Sequence, residues 1–221
     1  MERERKQFIT YSNLAEFLKY RRIVSDYVFL DQKEFTKEIN ISKYIIINGT
    51  TINERSKYMK NNKGVEEHIL IVFVGAGSLH AAKLNEFNKL FKVVQKQIDE
   101  ERYYNIIFIT ADDVTSNIKK SVLEEKNKMI HFEFYNYNKF VIVVPQHVLV
   151  PKHEIVSEKE SQEYMNEFYI KKDMLPRILS IDPAVVWIGG RGGDIIKITR
   201  VSENAGIAIN YRLVVEINTV N

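Results

Sequence analysis

The side chains that could do chemistry are few in this sequence, and their spacing decides little. Asp112-Asp113 follows the apolar run Ile106 to Ile109, where carboxylates at a strand end can hold Mg²⁺ for nuclease chemistry. That chemistry needs further carboxylates and a lysine nearby, and Glu133 is not followed by one in the expected strand pattern. The same pair also suits a helix N-cap before Val114. Gly75-Ala76-Gly77 lies between a predicted strand and a predicted helix, but a dinucleotide fingerprint needs a third glycine where the chain has His80. Gly189-Gly190-Arg191-Gly192-Gly193 could cradle a phosphate on backbone N–H groups beside Arg191. It lacks the Lys-Ser/Thr ending of a P-loop, and glycines equally serve a sharp helix-to-strand turn. His68, His80, His131, His147 and His153 show no metal-ligand spacing. No nucleophile stands beside a base in any motif, so the residues predict no catalytic site, no metal and no cofactor. Arg21-Arg22 and Lys119-Lys120 read as solvated helix faces. Trp187 suits an interface anchor or a small core equally.

Composition bounds the fold. At 221 residues the chain can hold one large or two small domains, and its 45% hydrophobic and 28% charged residues are ordinary for a globular protein. The absence of cysteine excludes disulfides and thiolate metal sites. No apolar stretch is long enough to span a bilayer, and no signal core follows Met-Glu-Arg-Glu-Arg-Lys, so the expectation is a soluble, unsecreted protein without a membrane role. Residues 1–146 hold 23 Lys+Arg against 19 Asp+Glu, a balance of +4, and residues 147–221 hold 9 against 10, a balance of −1. A phosphate-facing surface is therefore expected in the first part.

Periodicity predicts a helix over residues 12–30 with Leu14, Phe17, Leu18, Arg21 and Val24 on one face, and a short helix over 34–39. Tyr44 to Ile47 reads as a strand stopped by Asn48-Gly49, and residues 55–64 as a polar loop. Continuous apolar runs at 69–74 and 106–109 predict strands buried on both faces. They alternate with helices at 79–101 and 114–126, then strands at 131–134 and 140–144 around Asn136-Tyr137-Asn138. This order implies a mixed or partly parallel sheet with flanking helices, ending at Pro145-Gln146. A strand at 148–150 opens a second unit. Ser157 and Glu160 form a capping box for a helix with a Tyr164, Met165 and Phe168 stripe. Asp182-Pro183 starts a very short helix that Gly189 ends. Strands at 195–200 and 207–215 complete a small α+β domain.

The last third resembles the C-terminal assembly domain of one family of RNA polymerase subunits, called H in its short form and known as the shared subunit five of eukaryotic nuclear polymerases. The residues that carry this are Leu149-Val150-Pro151-Lys152-His153, Leu175-Pro176-Arg177-Ile178, Asp182-Pro183, Gly193-Asp194, Ile196-Lys197-Ile198, Arg200, Ser202-Glu203, Ala205-Gly206 and Tyr211-Arg212-Leu213-Val214. Cellular members carry arginine at Val186, proline at Val201 and threonine at Asn204. The run Val185 to Asp194 is closer to versions encoded by large nucleocytoplasmic DNA viruses, in keeping with a chain rich in Ile, Lys and Asn. The first 146 residues are loosely similar to the eukaryotic-type jaw domain, through Phe17-Leu18-Lys19-Tyr20-Arg21-Arg22 and the βαβ order. Archaeal members lack that domain.

The resemblance implies two domains. Residues 1–146 would form an α/β jaw, restriction-endonuclease-like but without catalytic residues. Residues 147–221 would form the assembly domain. It further implies a non-catalytic component of a multisubunit DNA-directed RNA polymerase, with the largest subunit as partner and downstream duplex DNA touched nonspecifically by the jaw. Lys152, His153, Arg177, Arg191, Lys197 and Arg200 are the expected partner-binding residues. No small-molecule substrate is expected. A viral member would work in the host cytoplasm, in the viral factory and the virion; a cellular one would be nuclear. Two other classes stay open on the residues alone: a Mg²⁺-dependent nuclease using Asp112 or Asp113, and a free-standing DNA-binding transcription regulator.

Overall fold

The computed structural model describes residues 2–53, 64–76, 84–99, 101–123, 129–202 and 206–216. They fall into two compact units, the first within Met1–Asn53 and Gly64–Ile142 and the second within Val143–Asn221.

In the first unit, helices α1 (Glu2–Tyr20) and α2 (Gln32–Ser42) precede strand β1 (Tyr44–Asn53) and strand β2 (Val65–Val74). Helix α3 (Leu84–Gln95), strand β3 (Tyr103–Thr110), helix α4 (Ser116–Leu123) and strand β4 (Ile130–Asn136) follow. The sheet has the order β1-β2-β3-β4; β1 is antiparallel to β2, and β2, β3 and β4 are parallel. Parallel neighbours need a crossover, and α3 and α4 supply two. Successive side chains leave opposite faces, so each face takes its own helices. Leu70, Val72, Ile106 and Phe108 pack with Phe87, Leu90, Val94, Ile118 and Val122 of α3 and α4. Phe73 points the other way, where Tyr11 of α1 and Phe35 of α2 meet it at 5.7 and 5.9 Å and Tyr137 stacks on it at 4.9 Å. The expected mixed sheet with flanking helices is thus the architecture of this unit.

Several element boundaries differ from expectation. Helix α1 begins near the chain start and ends at Tyr20, not at residue 30, because Arg22 takes a left-handed φ of 55° and the chain leaves to bridge Val24 onto Thr50. Val24, expected on the buried face, is 73% exposed. Asn48-Gly49 does not stop β1. A Cβ on Gly49 would lie 2.5 Å from Ile23 Cγ2 and 2.8 Å from the Val24 carbonyl, so glycine here admits a close backbone approach within a continuing strand. Phe140 to Val144 forms no strand: Asn136 accepts the Asn138 N–H, a 3-10 turn covers Tyr137–Lys139, and Phe140 is wholly buried against Phe17. Helix α3 ends at Gln95, before the expected Glu101, yet Ile98 still packs on the core. Its expected start at Leu79, the polar loop at 55–63 and the end of the α4 prediction at 124–126 lie outside the described residues.

One correction changes the electrostatics. Arg21, expected on a solvated basic face, is buried and bonds Glu133 of β4 at 2.8 Å, with a 3.0 Å hydrogen bond to its second oxygen. Asn105 Nδ2 donates to the same carboxylate at 2.7 Å and the Tyr135 hydroxyl at 2.7 Å. The Arg21 guanidinium also lies 4.4 Å over the Phe17 ring. Burial works against its charge, but Glu133 and then Tyr135 more than offset that and hold its pKa above the ordinary arginine value. The Tyr135 hydroxyl is pushed up by burial and by the Glu133 charge. Burial also raises Tyr11, Tyr27 and Tyr137.

The second unit holds strand β5 (Lys152–Ile155), helix α5 (Glu158–Glu167), strand β6 (Arg177–Leu179), helix α6 (Pro183–Ile188), strand β7 (Ile195–Ser202) and strand β8 (Gly206–Val215). Its sheet has the order β5-β7-β8-β6, with only β6 and β8 parallel, and this small α+β form is the expected one. The strand expected at 148–150 instead begins at Lys152; Val148 and Leu149 are 92% and 82% exposed. Strand β6 is absent from the periodicity, since three residues are too few to show alternation. Ser157 caps α5 by accepting the Glu160 N–H at 3.2 Å, but Glu160 turns its carboxylate to Lys197 at 3.0 Å, so the expected capping box is half made. Only Ser161 of α5 is buried, and Phe168 is 56% exposed, so the predicted stripe is shallow. Asp182 accepts the Ala184 N–H at 2.9 Å, Pro183 follows, and Gly189 ends α6 at φ 76°, as expected.

The buried charges and phenols have measurable consequences. Arg21→Ala leaves Glu133 buried without its cation and should lower the unfolding free energy by about 3–5 kcal/mol, measured by chemical denaturation. A loss below about 1 kcal/mol would show that water reaches the pair. The raised tyrosines stabilise the fold fully below the unfolded phenol pKa of about 10, and this contribution is lost as pH rises through their folded values. The denaturation midpoint should therefore fall above about pH 10, and Tyr137→Phe should flatten that fall.

Candidate functional site

The glycine-rich turn between α6 and β7 shows where its backbone amides go. Gly189 and Gly190 donate to the carbonyls of Val186 and Val185, and Gly193 donates to the Val214 carbonyl at 2.9 Å. Arg191 N–H donates to Asp194 Oδ2 at 2.8 Å and Gly192 N–H to Glu216 Oε1 at 2.7 Å. Ser180 Oγ holds the other Glu216 oxygen at 2.6 Å. Two carboxylates and three carbonyls of the chain itself thus occupy the donors that a phosphate would need. The turn reading is correct and the phosphate cradle is not. Arg191 is buried here at 7% exposure, and Trp187 is wholly buried in α6, which decides its role for the core.

The carboxylates Asp112 and Asp113 are both exposed beyond β3, and α4 starts only at Ser116, so neither caps it as expected. Among the described residues no three His, Asp or Glu side chains gather as metal ligands. The first part of the Gly75-Ala76-Gly77 motif follows β2, but Gly77 and His80 lie outside the described residues.

Strand pairing sorts the six predicted partner-binding residues. Residues directly opposite in a sheet share a face. His153 pairs with Ile198 and Ile196 with Arg212, so His153, Ile196, Ile198, Arg200 and Arg212 share the face that α6 packs against through Val185. Lys152 pairs with Thr199, Lys197 with Tyr211 and Arg177 with Leu213, which puts these three cations on the opposite face. There α5 covers part of the sheet: Tyr164 lies 3.9 Å from the Tyr211 ring, and Glu160 holds Lys197. This hydrogen bond raises the Lys197 pKa. Lys152 pairs with Glu154 at 2.7 Å. The six therefore do not form one patch.

What α6 leaves uncovered on its face is a groove of about 450 Å³. Ile178, Ala184 and Ile198 form its buried floor. His153, Arg200 and Arg212 line it, with Asn210 and Asp182. His153 Nδ1 donates to the Pro151 carbonyl at 2.7 Å, which fixes that ring nitrogen as the protonated one. Asp182 is already engaged as the α6 cap. Sequence reasoning selects His153 and Arg200 but passes over Arg212 and Asn210. A signal for both exists: in the β8 alternation, Asn210 and Arg212 share a phase with Val214, whose face is buried. Val186, where cellular polymerase subunits of the resembled family carry arginine, is wholly buried.

The comparisons with known proteins agree with this layout. The family model "RNA polymerase Rpb5, C-terminal domain" matches residues 142–214, which hold the groove and the glycine turn. DNA-directed RNA polymerase subunit Rpo5 of Nitrosopumilus maritimus is 47% identical over 76 residues, covering 34% of this chain and 92% of that protein. The chain belongs to the Rpb5 family of RNA polymerase subunits. The Rpb5 likeness is not confined to the second unit. The DNA-directed RNA polymerase RPB5 homolog of African swine fever virus (isolate Tick/South Africa/Pretoriuskop Pr4/1996) is 26% identical over 210 residues, 92% of this chain and 95% of the viral protein. The Rpb5-family subunit RPABC1 of RNA polymerases I, II and III from Caenorhabditis elegans is 32% identical over 127 residues, 58% of this chain and 60% of its own length.

Titrating inorganic phosphate into the chain should give no saturable binding at the glycine turn. Glu216→Ala removes the acceptor of Gly192 and Ser180 and should lower the thermal midpoint. Saturable phosphate binding by the unmodified chain would restore the cradle reading.

Proposed function

We propose that this chain is a non-catalytic subunit of a multisubunit DNA-directed RNA polymerase. The observation that carries the reading is the Rpb5 likeness across both units, near complete against the viral homolog and densest over the second unit. In this reading residues 147–221 are the assembly domain and dock on the largest subunit. Residues 1–146 are a restriction-endonuclease-like jaw beside the downstream DNA duplex. The excess of +4 in the first part supports a jaw near phosphate, through contacts that are few, nonspecific and salt-sensitive. The likeness to African swine fever virus proteins supports a viral transcription machine working in the host cytoplasm, in the viral factory, and carried in the virion. Of the expected partner-binding residues, His153 and Arg200 face the groove, while Lys152, Arg177 and Lys197 offer a second, more polar face. Arg191 belongs to the turn that shapes the domain.

Affinity capture of the tagged chain from its native source, followed by mass spectrometry, tests the proposal. Recovery of the two large polymerase subunits at near-equal stoichiometry is the expected result. A chain captured alone would overturn it. The isolated chain should not cleave DNA at millimolar Mg²⁺; cleavage lost in Asp112→Ala or Asp113→Ala would revive the nuclease reading. Duplex binding by the isolated chain, with no polymerase captured, would favour the free-standing regulator instead.

A further inference from the structure

We infer that the groove between α6 and the β7–β8 hairpin takes an extended, acidic segment of the polymerase partner, with carboxylates held by Arg200 and Arg212. This rests on the proposed subunit function and specifies what that docking recognises. The first support is charge without a partner inside the chain. Arg200 and Arg212 are exposed, line the groove, and form no ion pair or hydrogen bond among the described residues. The neighbouring cations do otherwise: Lys197 and Lys152 are held by Glu160 and Glu154, and Arg21 by Glu133. The groove's own carboxylate, Asp182, is spent on the α6 cap. Two guanidinium groups beside a buried apolar floor are a site for bidentate carboxylate recognition, which arginine suits better than lysine.

The second support is geometry. Arg200 stands opposite Ala208 and Arg212 opposite Ile196, so the two side chains leave one face four positions apart along the strands. At ~3.3 Å per residue this is roughly 13 Å. Acidic residues four apart on one side of an extended segment repeat at the same distance, and the apolar side chain between them would rest on Ile198 and Ile178. Nucleic acid is the poorer fit. A phosphate backbone would meet an apolar floor and Asp182, in a part of the chain whose balance is −1.

The test uses the full chain in its polymerase. Arg200→Glu with Arg212→Glu should weaken capture of the large subunits by on the order of 100-fold, with an unchanged denaturation midpoint, and Arg200→Lys with Arg212→Lys should retain most of it. A photo-crosslinking phenylalanine derivative in place of Asn210 should join the groove to a polymerase peptide that carries two acidic residues. Undiminished capture by the charge-reversed chain overturns the inference and leaves the subunit reading standing. A crosslink to nucleic acid, or to a peptide without acidic residues, does the same. Failure of the unmodified chain to capture polymerase overturns both. Should the charge-reversed chain not fold, the crosslinked peptide decides alone.

Discussion

A carboxylate inside a protein must be surrounded by donors, and Glu133 meets that demand with residues from three separate elements. Arg21 comes from the end of α1, Asn105 from β3 and Tyr135 from its own strand. The ion pair fixes the end of α1 over the sheet, since a displaced helix would leave a buried charge on either side. With α1 fixed, Tyr11 and Phe17 meet Phe73 and Phe140, and the face opposite α3 and α4 is closed. Close packing of aromatic rings supplies the burial; the ion pair supplies the register.

The second unit uses carboxylates for a similar purpose on a smaller scale. Asp194 and Glu216 gather the amides of the glycine-rich turn, and Asp182 caps the short helix before it. These bonds settle where α6 ends and β7 begins, and so decide how much of the sheet α6 covers. The groove is what remains. Its shape is a consequence of capping chemistry at both ends of a six-residue helix.

Charge partition then separates structural from available side chains. Carboxylates held by N–H groups and arginines held by carboxylates are internal to the fold. Arg200 and Arg212 are the contrast, being cations on a partly apolar face with no carboxylate paired to them among the described residues. Membership of the Rpb5 family gives that contrast a meaning as an assembly surface rather than a reaction centre.

Much of this was legible from the sequence because it is local. Apolar runs wide enough to bury both faces marked β2 and β3, and the Asp182-Pro183 to Gly189 pattern marked α6, since caps and φ preferences act within a few residues. The dense motifs of the last third carried the family. The tertiary structure decided what depends on residues far apart in the chain. Gly49 looks like a turn until Ile23 and Val24 are seen crossing it, and Arg21 looks solvated until Glu133, 112 positions away, is seen beneath it. Whether Arg191 and Arg200 were alike could not be told from a run of basic residues. The amides and carboxylates of the turn bury the first, and strand pairing turns the second into the groove, because burial and facing are properties of neighbours that only folding brings together.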